Sequence, residues 1–255
     1  MKILFLGTGT SEGIPRISCD CNVCRDAMDS KSKNNRSRSS ILITFDDDHR
    51  VLIDTSQDLR MQALRNDVRH IDAILFTHAH ADHILGLPDI REFNRNIGGP
   101  IDCYGSKETL DEIKSTFQFM FRASVQKGGG LPQASLHEIS TSFPLFSQQI
   151  IPIPVKHGNL DIFGYRIGDM AYITDASAIP ESSMKLLSGV KILILNALRY
   201  EPHPTHLSLS ESIAIAQQVG AEKTFFTHIC HLIDHRNVTL PSGIELGYDG
   251  LEIEL

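Results

Sequence analysis

The 255-residue chain has no apolar run of roughly 18 residues, the length a helix needs to cross a bilayer, so no membrane span is expected. No signal-peptide pattern is evident, and cysteine is scarce: five residues, three of them in one cluster. That usage argues against a disulfide framework and leads us to expect a soluble protein in the reducing cytoplasm. Positive charge is also in short supply. Twenty-four Lys and Arg face 31 Asp and Glu, for a formal net charge of -7. Extended binding to a long polyanion is therefore disfavoured, because nonspecific nucleic-acid affinity rests on cations neutralising phosphates. Bound divalent metals would offset some of this locally, so an RNA partner is not excluded. The turn Gly7-Thr8-Gly9-Thr10-Ser11 lacks the Gly-Lys-Ser/Thr ending of a nucleotide-binding loop, which leaves close backbone packing as its expected job.

What the chain does have is clustered metal-ligand chemistry. Thr77-His78-Ala79-His80-Ala81-Asp82-His83 places four strong ligands within six positions, directly after the apolar run from Ile71 to Phe76, which reads as a buried strand. In extended chain, residues two apart project the same way, so His78 and His80 can close on one ion while Asp82 and His83 reach a second. Imidazole and carboxylate suit Zn, Mn and Fe, and without a cation this cluster would leave buried charge and ring nitrogens unpaired. A single loop cannot complete two coordination spheres, so further ligands are expected at other strand ends. His157 follows the run Ile150 to Val155, with Gly158 permitting a sharp departure. Asp175 follows Met170 to Thr174, and His228 follows Lys223 to Thr227. Any one of these alone reads more readily as a turn residue than as a ligand; together they repeat one design, an apolar strand and then a ligand.

A second constellation is Cys19-Asp20-Cys21-Asn22-Val23-Cys24, three thiols within six residues, which suits soft-ligand zinc binding. It is one ligand short of a tetrahedron, and Cys230 or His231 can supply the fourth.

The motif His78, His80, Asp82, His83, followed in order by His157, Asp175 and His228, resembles the metallo-β-lactamase superfamily of binuclear hydrolases across nearly the whole chain. That resemblance implies a four-layer αββα sandwich. It also implies one metal held by His78, His80 and His157, a second by Asp82, His83 and His228, and Asp175 bridging them. The cysteine insert, at about 17–38, and the closing Tyr248-Asp249-Gly250-Leu251 are similar to the PhnP-type phosphoribosyl cyclic phosphodiesterases, in which the fourth structural zinc ligand corresponds to His231. Similar inserts occur in relatives involved in pyrroloquinoline quinone biosynthesis. A homodimer is suggested only by this resemblance.

Scattered ligands that must converge imply one catalytic domain over 1–255, and 41% apolar content can bury one good core. Eleven strand-like runs are expected, from Lys2–Leu6 to Leu251–Leu255, with helix-like segments at 57–65, 87–96, 107–119 and 208–219; this α/β composition implies two sheets covered by helices. The basic stretch Lys31 to Ser39 is expected to be a solvated loop. The stretch Gln118 to Phe146 lacks clear periodicity and is read as a surface excursion or a lid.

Two divalent ions, Mn or Zn, about 3.5 to 4 Å apart would share one hydroxide and polarise a phosphoryl oxygen. Departure of the alkoxide needs a proton, and His206, 22 residues before His228, is assigned as general acid or transition-state stabiliser by the resemblance, with His203 the weaker candidate. Asp54 is a candidate partner for a metal-bound imidazole. The expected activity is hydrolysis of a small, cyclic phosphate ester. Rival readings are a tRNA-processing or other RNA endonuclease, a β-lactamase or thioesterase, and a noncatalytic metal-stabilised binding protein.

Overall fold

A computed structural model describes residues 1–122 and 130–255. One seven-stranded sheet contains β1 (Lys2–Gly7), β2 (Ser40–Thr44), β3 (Arg50–Ile53), β4 (Ala73–Leu75), β5 (Ile101–Gly105), β6 (Ala134–Glu138) and, at the edge beside β1, β14 (Glu252–Glu254). The other runs β7 (Phe143–Leu145), β8 (Gln148–His157), β9 (Leu160–Ile167), β10 (Met170–Ile173), β11 (Ile192–Asn196), β12 (Lys223–Thr227) and β13 (Ile244–Leu246) in sequential order.

The strands are apolar on both faces because both faces are covered. In β1, Ile3 and Phe5 enter the core between the sheets while Leu4 and Leu6 face the opposite way, and in β10 Met170 and Tyr172 alternate likewise with Ala171 and Ile173. The outer face of the first sheet packs on α2 (Leu59–Arg65), α4 (Arg91–Ile97) and α5 (Lys107–Thr116) through Leu59, Phe93, Leu110 and Ile113. The outer face of the second packs on α8 (Leu209–Val219) through Leu209 and Ala216. These are the four αββα layers. Tyr165 ties the two sheets together, its hydroxyl donating to the Phe76 carbonyl at 2.6 Å.

Strands β3, β4, β5 and β6 run parallel, as do β10, β11, β12 and β13, and two antiparallel steps bring β8 into the direction of β10. The carboxyl ends of β3, β4, β8, β10, β11 and β12 therefore carry the loops that can build a site.

Several sequence expectations are corrected. The described residues contain fourteen strands, not eleven: β6, β7 and β13 were hidden by their shortness or by polar residues such as His137 and Glu138. The 118–146 stretch is not structureless, since it holds a short helix at Gln118–Phe121 as well as β6 and β7; the expected lid falls partly on residues outside the described set. The segment expected as a helix at 87–96 is a 3-10 turn at Leu87–Ile90 leading into α4. The basic run is a loop but not a solvated one: Asn34, Arg36 and Ser39 are fully buried.

Arg36 explains that burial. Its guanidinium donates to Thr8 Oγ1 at 2.7 Å, to the Gly247 carbonyl, and to His235 Nδ1 at 3.0 Å. Nearby, Asp249 accepts from the backbone and hydroxyl of both Thr8 and Ser37. A Cβ on Gly7 would lie 2.0 Å from the Arg38 carbonyl, so the glycine turn is needed for this close approach.

A guanidinium only donates, so His235 Nδ1 must accept, which requires the neutral ring. Burial and the charges of Arg36 and Lys33 lower His235 to about 4. The ring in the unfolded chain protonates near 6.5, so between those values the unfolded state binds more protons and stability falls as pH drops. We expect urea midpoints measured from pH 7 to 4.5 to fall less steeply for His235→Gln than for the wild type. Equal slopes would contradict this account.

Candidate active site

The signature motif leaves β4 and enters a short helix, α3 (Ala81–Ile84), with His80 at its N-cap. His157 ends β8, Asp175 follows β10 and His228 follows β12. The fold brings these residues together. Ring nitrogens of His78, His80 and His157 lie within 4.8 Å of one another, as do ligand atoms of Asp82, His83, Asp175 and His228. A third, overlapping group is His157, Asp175 and His206.

Asp175 joins these groups. It is 2% exposed, and its two oxygens lie 3.4 Å from His83 Nε2, 3.2 Å from His228 Nδ1, 3.2 Å from His206 Nε2 and 4.0 Å from His78 Nε2. Burial disfavours its charge, but His228, His83 and His206 hold it well below the ordinary carboxylate range. Burial also pushes His83 toward neutrality, yet Asp82, Asp175 and Asp54 overcome it and hold the ring well above its usual value. His78 is driven well below its usual value by burial and by His83. His228 is lowered to about 4, chiefly by burial.

Two imidazoles are aimed by one carboxylate. Asp54, fully buried at the end of β3, accepts His83 Nδ1 at 2.7 Å and Thr77 Oγ1 at 2.8 Å, and Thr77 Oγ1 in turn accepts His78 Nδ1 at 2.9 Å. Both rings are thereby turned with Nε2 toward the cluster. His157 Nδ1 donates to the Thr205 carbonyl at 2.7 Å, with the same effect. The sequence named Asp54 only as a candidate and missed Thr77 as a relay. It also missed Asn196, whose amide group makes two hydrogen bonds to the backbone of Ala176 and so fixes the turn that follows Asp175. A buried asparagine closing the run Ile192-Leu193-Ile194-Leu195 was the available signal.

The donor set fits divalent cations. His78 Nε2, His83 Nε2 and Asp82 Oδ2 are buried with no hydrogen-bond partner among the described residues, although each points into the cluster. Leaving three such atoms unpaired would cost free energy that a cation among them removes.

The cysteine insert gathers as well. Sulfurs of Cys19, Cys21 and Cys24 lie within 4.8 Å of one another and of His231, and the sulfurs of Cys19 and Cys21 are each 3.4 Å from His231 Nδ1. Cys230 is not in this group; its sulfur accepts the Leu232 N–H at 3.5 Å. Burial opposes charge at Cys21, but hydrogen bonds from His231 and the Cys24 N–H bring it down to about 6, while burial pushes Cys24 up to about 12. Without a cation the neighbouring thiols cannot all ionise, and three thiolates with one imidazole make a donor set that suits a structural zinc.

His206 lies at the rim of the main cluster. Its Nε2 faces Asp175 and its Nδ1 is 2.9 Å from Thr205 Oγ1 and 3.1 Å from His203 Nδ1. Ser208, two residues on, caps α8 with a reciprocal Ser208–Glu211 capping box that fixes this approach.

If Asp54 is what aims His78 and His83, Asp54→Asn should weaken metal retention by about 10- to 100-fold, read by competition with a chelator, while the far-ultraviolet circular dichroism is unchanged. Unaltered retention would show that the rings are aimed by packing alone.

Comparison with known proteins agrees with this geometry. The family model described as "Beta-lactamase superfamily domain" matches residues 49–229. The octanoyltransferase of Porphyromonas gingivalis is 36% identical over 260 residues, taking in 99% of this chain and 51% of that protein. Coenzyme PQQ synthesis protein B of Methylobacterium radiotolerans is 30% identical over 168 residues, covering 61% of this chain and 53% of that protein. The chain thus spans about half the length of these curated relatives. Among solved structures, a diphosphatase from the PhnP family superposes with a TM-score of 0.90 at 43% identity, covering 100% of this chain and 97% of that one. Zn2+-bound PqqB from Methylobacterium extorquens gives 0.81 at 22% identity, with full coverage of both chains, and speaks for the fold. With its sandwich, its His and Asp cluster and these matches, the chain belongs to the β-lactamase superfamily of metal-dependent hydrolases and has the metallo-β-lactamase fold.

Proposed function

We propose that this protein cleaves a phosphorus–oxygen bond in a small phosphodiester, with a cyclic ester as the favoured substrate and a diphosphate linkage as the near relative of that chemistry. The observation that carries the reading is the meeting of two ligand groups at Asp175, with His206 beside them. The support from relatives is the 43% identical diphosphatase.

In this reading His78, His80 and His157 would hold one divalent ion and Asp82, His83 and His228 the other, with Asp175 placed between the two groups. Cys19, Cys21, Cys24 and His231 hold a structural zinc. Bound Mn or Zn at the paired site supplies Lewis acidity and lowers the pKa of water toward neutrality. The rest is done by the chain. Here His206 acts as the imidazolium: Nδ1 donates to Thr205 Oγ1 at 2.9 Å, and Nε2, beside Asp175, passes its proton to the departing oxygen, which leaves the neutral ring. His157, His228 and Asp175 pack around it and fix its ring, which lies nearly parallel to that of His228 with centroids 5.0 Å apart.

The cleft beside His206 carries Arg16, Arg199, His203 and His231 together with Glu12, a lining that favours an anion over an acyl chain. The name of the octanoyltransferase relative supports acyl chemistry less well, since this chain matches only half of that protein. No helix among the described residues is long and apolar enough to cross a membrane, and all five cysteines are unpaired, in keeping with our proposal of a reducing cytoplasmic setting.

Turnover of bis(p-nitrophenyl) phosphate with Mn or Zn is the first expected result. His206→Ala should reduce kcat by about 100- to 10,000-fold while metal content by elemental analysis is retained. Parallel loss of metal would make His206 a ligand with His157 and Asp175, and hydrolysis of thioesters or β-lactams with no phosphodiester turnover would remove the proposed activity.

A further inference from the structure

Outside both ligand groups, His203 sits against the proton donor, and the reaction as proposed gives it no part. It lies between Pro202 and Pro204, whose rings limit the backbone on either side of it. The same segment is fastened to the turn after Asp175 by the Leu207 N–H, which donates to the Ala176 carbonyl at 2.7 Å. His203 Nδ1 lies 3.3 Å from the Thr205 backbone nitrogen, 3.2 Å from Thr205 Oγ1 and 3.1 Å from His206 Nδ1.

These contacts fix the direction of every proton in the group. A backbone amide only donates, so His203 Nδ1 accepts, and its neutral ring carries its proton on Nε2. Burial, with the nearby His206 and Arg199, lowers His203 below the ordinary imidazole range, in keeping with a neutral ring. The Thr205 hydroxyl then donates to His203 Nδ1 and turns its lone pairs to His206 Nδ1, 2.9 Å away. His206 Nδ1 therefore meets two acceptors and no donor, which keeps a proton on that nitrogen. Thr205 has a second task, because its carbonyl accepts from His157 Nδ1 at 2.7 Å. That approach relies on Gly158: a Cβ there would lie 2.9 Å from Thr205 Cγ2, and the φ of +58° suits glycine.

We infer that His203 is a positioning residue that acts through Thr205 to decide which nitrogen of His206 gives up its proton. The inference rests on the proposed phosphodiesterase reading and specifies its proton step. As the phosphorus–oxygen bond breaks, the departing oxygen keeps the electron pair and takes the proton from Nε2. The ring ends neutral with its remaining proton on Nδ1, shared between Thr205 Oγ1 and His203 Nδ1. Without His203, the Thr205 hydroxyl has His206 Nδ1 itself as its nearest acceptor. It would donate there, and the neutral ring would carry its proton on Nε2 instead.

Two readouts on the zinc-loaded protein test this. The first is the tautomer of neutral His206, from long-range proton–nitrogen correlation spectra of protein labelled with 15N-histidine, its signals assigned by their absence from His206→Ala. The wild type should carry the proton on Nδ1, and His203→Leu should move it toward Nε2. The second is kinetic. On adenosine 2′,3′-cyclic phosphate, which expels an alkoxide, His203→Leu should lower kcat by about 10- to 100-fold with KM and metal content unchanged. The loss should be smaller on bis(p-nitrophenyl) phosphate, whose leaving group needs little help from a proton. His203→Asn, whose Oδ1 can accept the same two hydrogens from Thr205, should recover most of the loss. A loss equal on the two esters, full activity in His203→Leu, or a wild-type His206 with its proton on Nε2 would each overturn the inference. Should the wild type turn over neither ester, the proposed reaction fails by itself, and the tautomer of His206 with and without His203 still decides the positioning role.

Discussion

The site depends on the burial of carboxylate charge among imidazoles. Asp175, with almost no solvent contact, faces rings carried by the segments that follow β4, β11 and β12, and its charge is tolerable only because those rings surround it. Asp54 repeats the arrangement one layer back, with its oxygens committed to Thr77 and His83. The space between two sheets supplies the burial, and the parallel runs β3–β4 and β10–β12 deliver their loops to one end of it.

Much of this was legible in the sequence because the signals were local. The alternation and length of the runs around Ile3, Leu52 and Tyr172 identified central strands, and the spacing of His78, His80, Asp82 and His83 identified a metal-ligand motif. The grouping of His157, Asp175 and His228 was also legible, since each stands just after an apolar run. What was not legible depends on distant partners. The Lys31–Ser39 loop is polar and basic, so it reads as solvated; it is buried because Asp249, Gly247 and His235, about 200 residues later, close over Arg36. Edge strands such as β6 and β13 lack a distinctive pattern, because half their residues face water and pairing with a neighbour does the rest.

The cysteine insert illustrates the same division. Its spacing announced a soft-ligand cluster, and the choice between Cys230 and His231 followed from the resemblance and agrees with the geometry. Nothing in the spacing showed that the insert borders the cleft beside His206, which became visible only when Arg16, Arg199 and His231 were found on one surface. Local motifs report which atoms a residue can bind. They do not report what else lies within reach.

Three of the residues in this centre, Asp54, Asp175 and His228, hold left-handed backbone conformations that side-chain-bearing residues rarely adopt. Their surroundings hold them there through bonds made by the polypeptide itself, the Asp54 N–H to the Leu75 carbonyl, the Ala176 N–H to Asn196 Oδ1 and the Ile229 N–H to the Thr8 carbonyl. Exchange of one divalent ion for another would then be a substitution within a standing frame, not a reorganisation of the chain. In such a frame shape discriminates little between ions of similar size, and which one resides there is decided by donor hardness and by what the cell supplies.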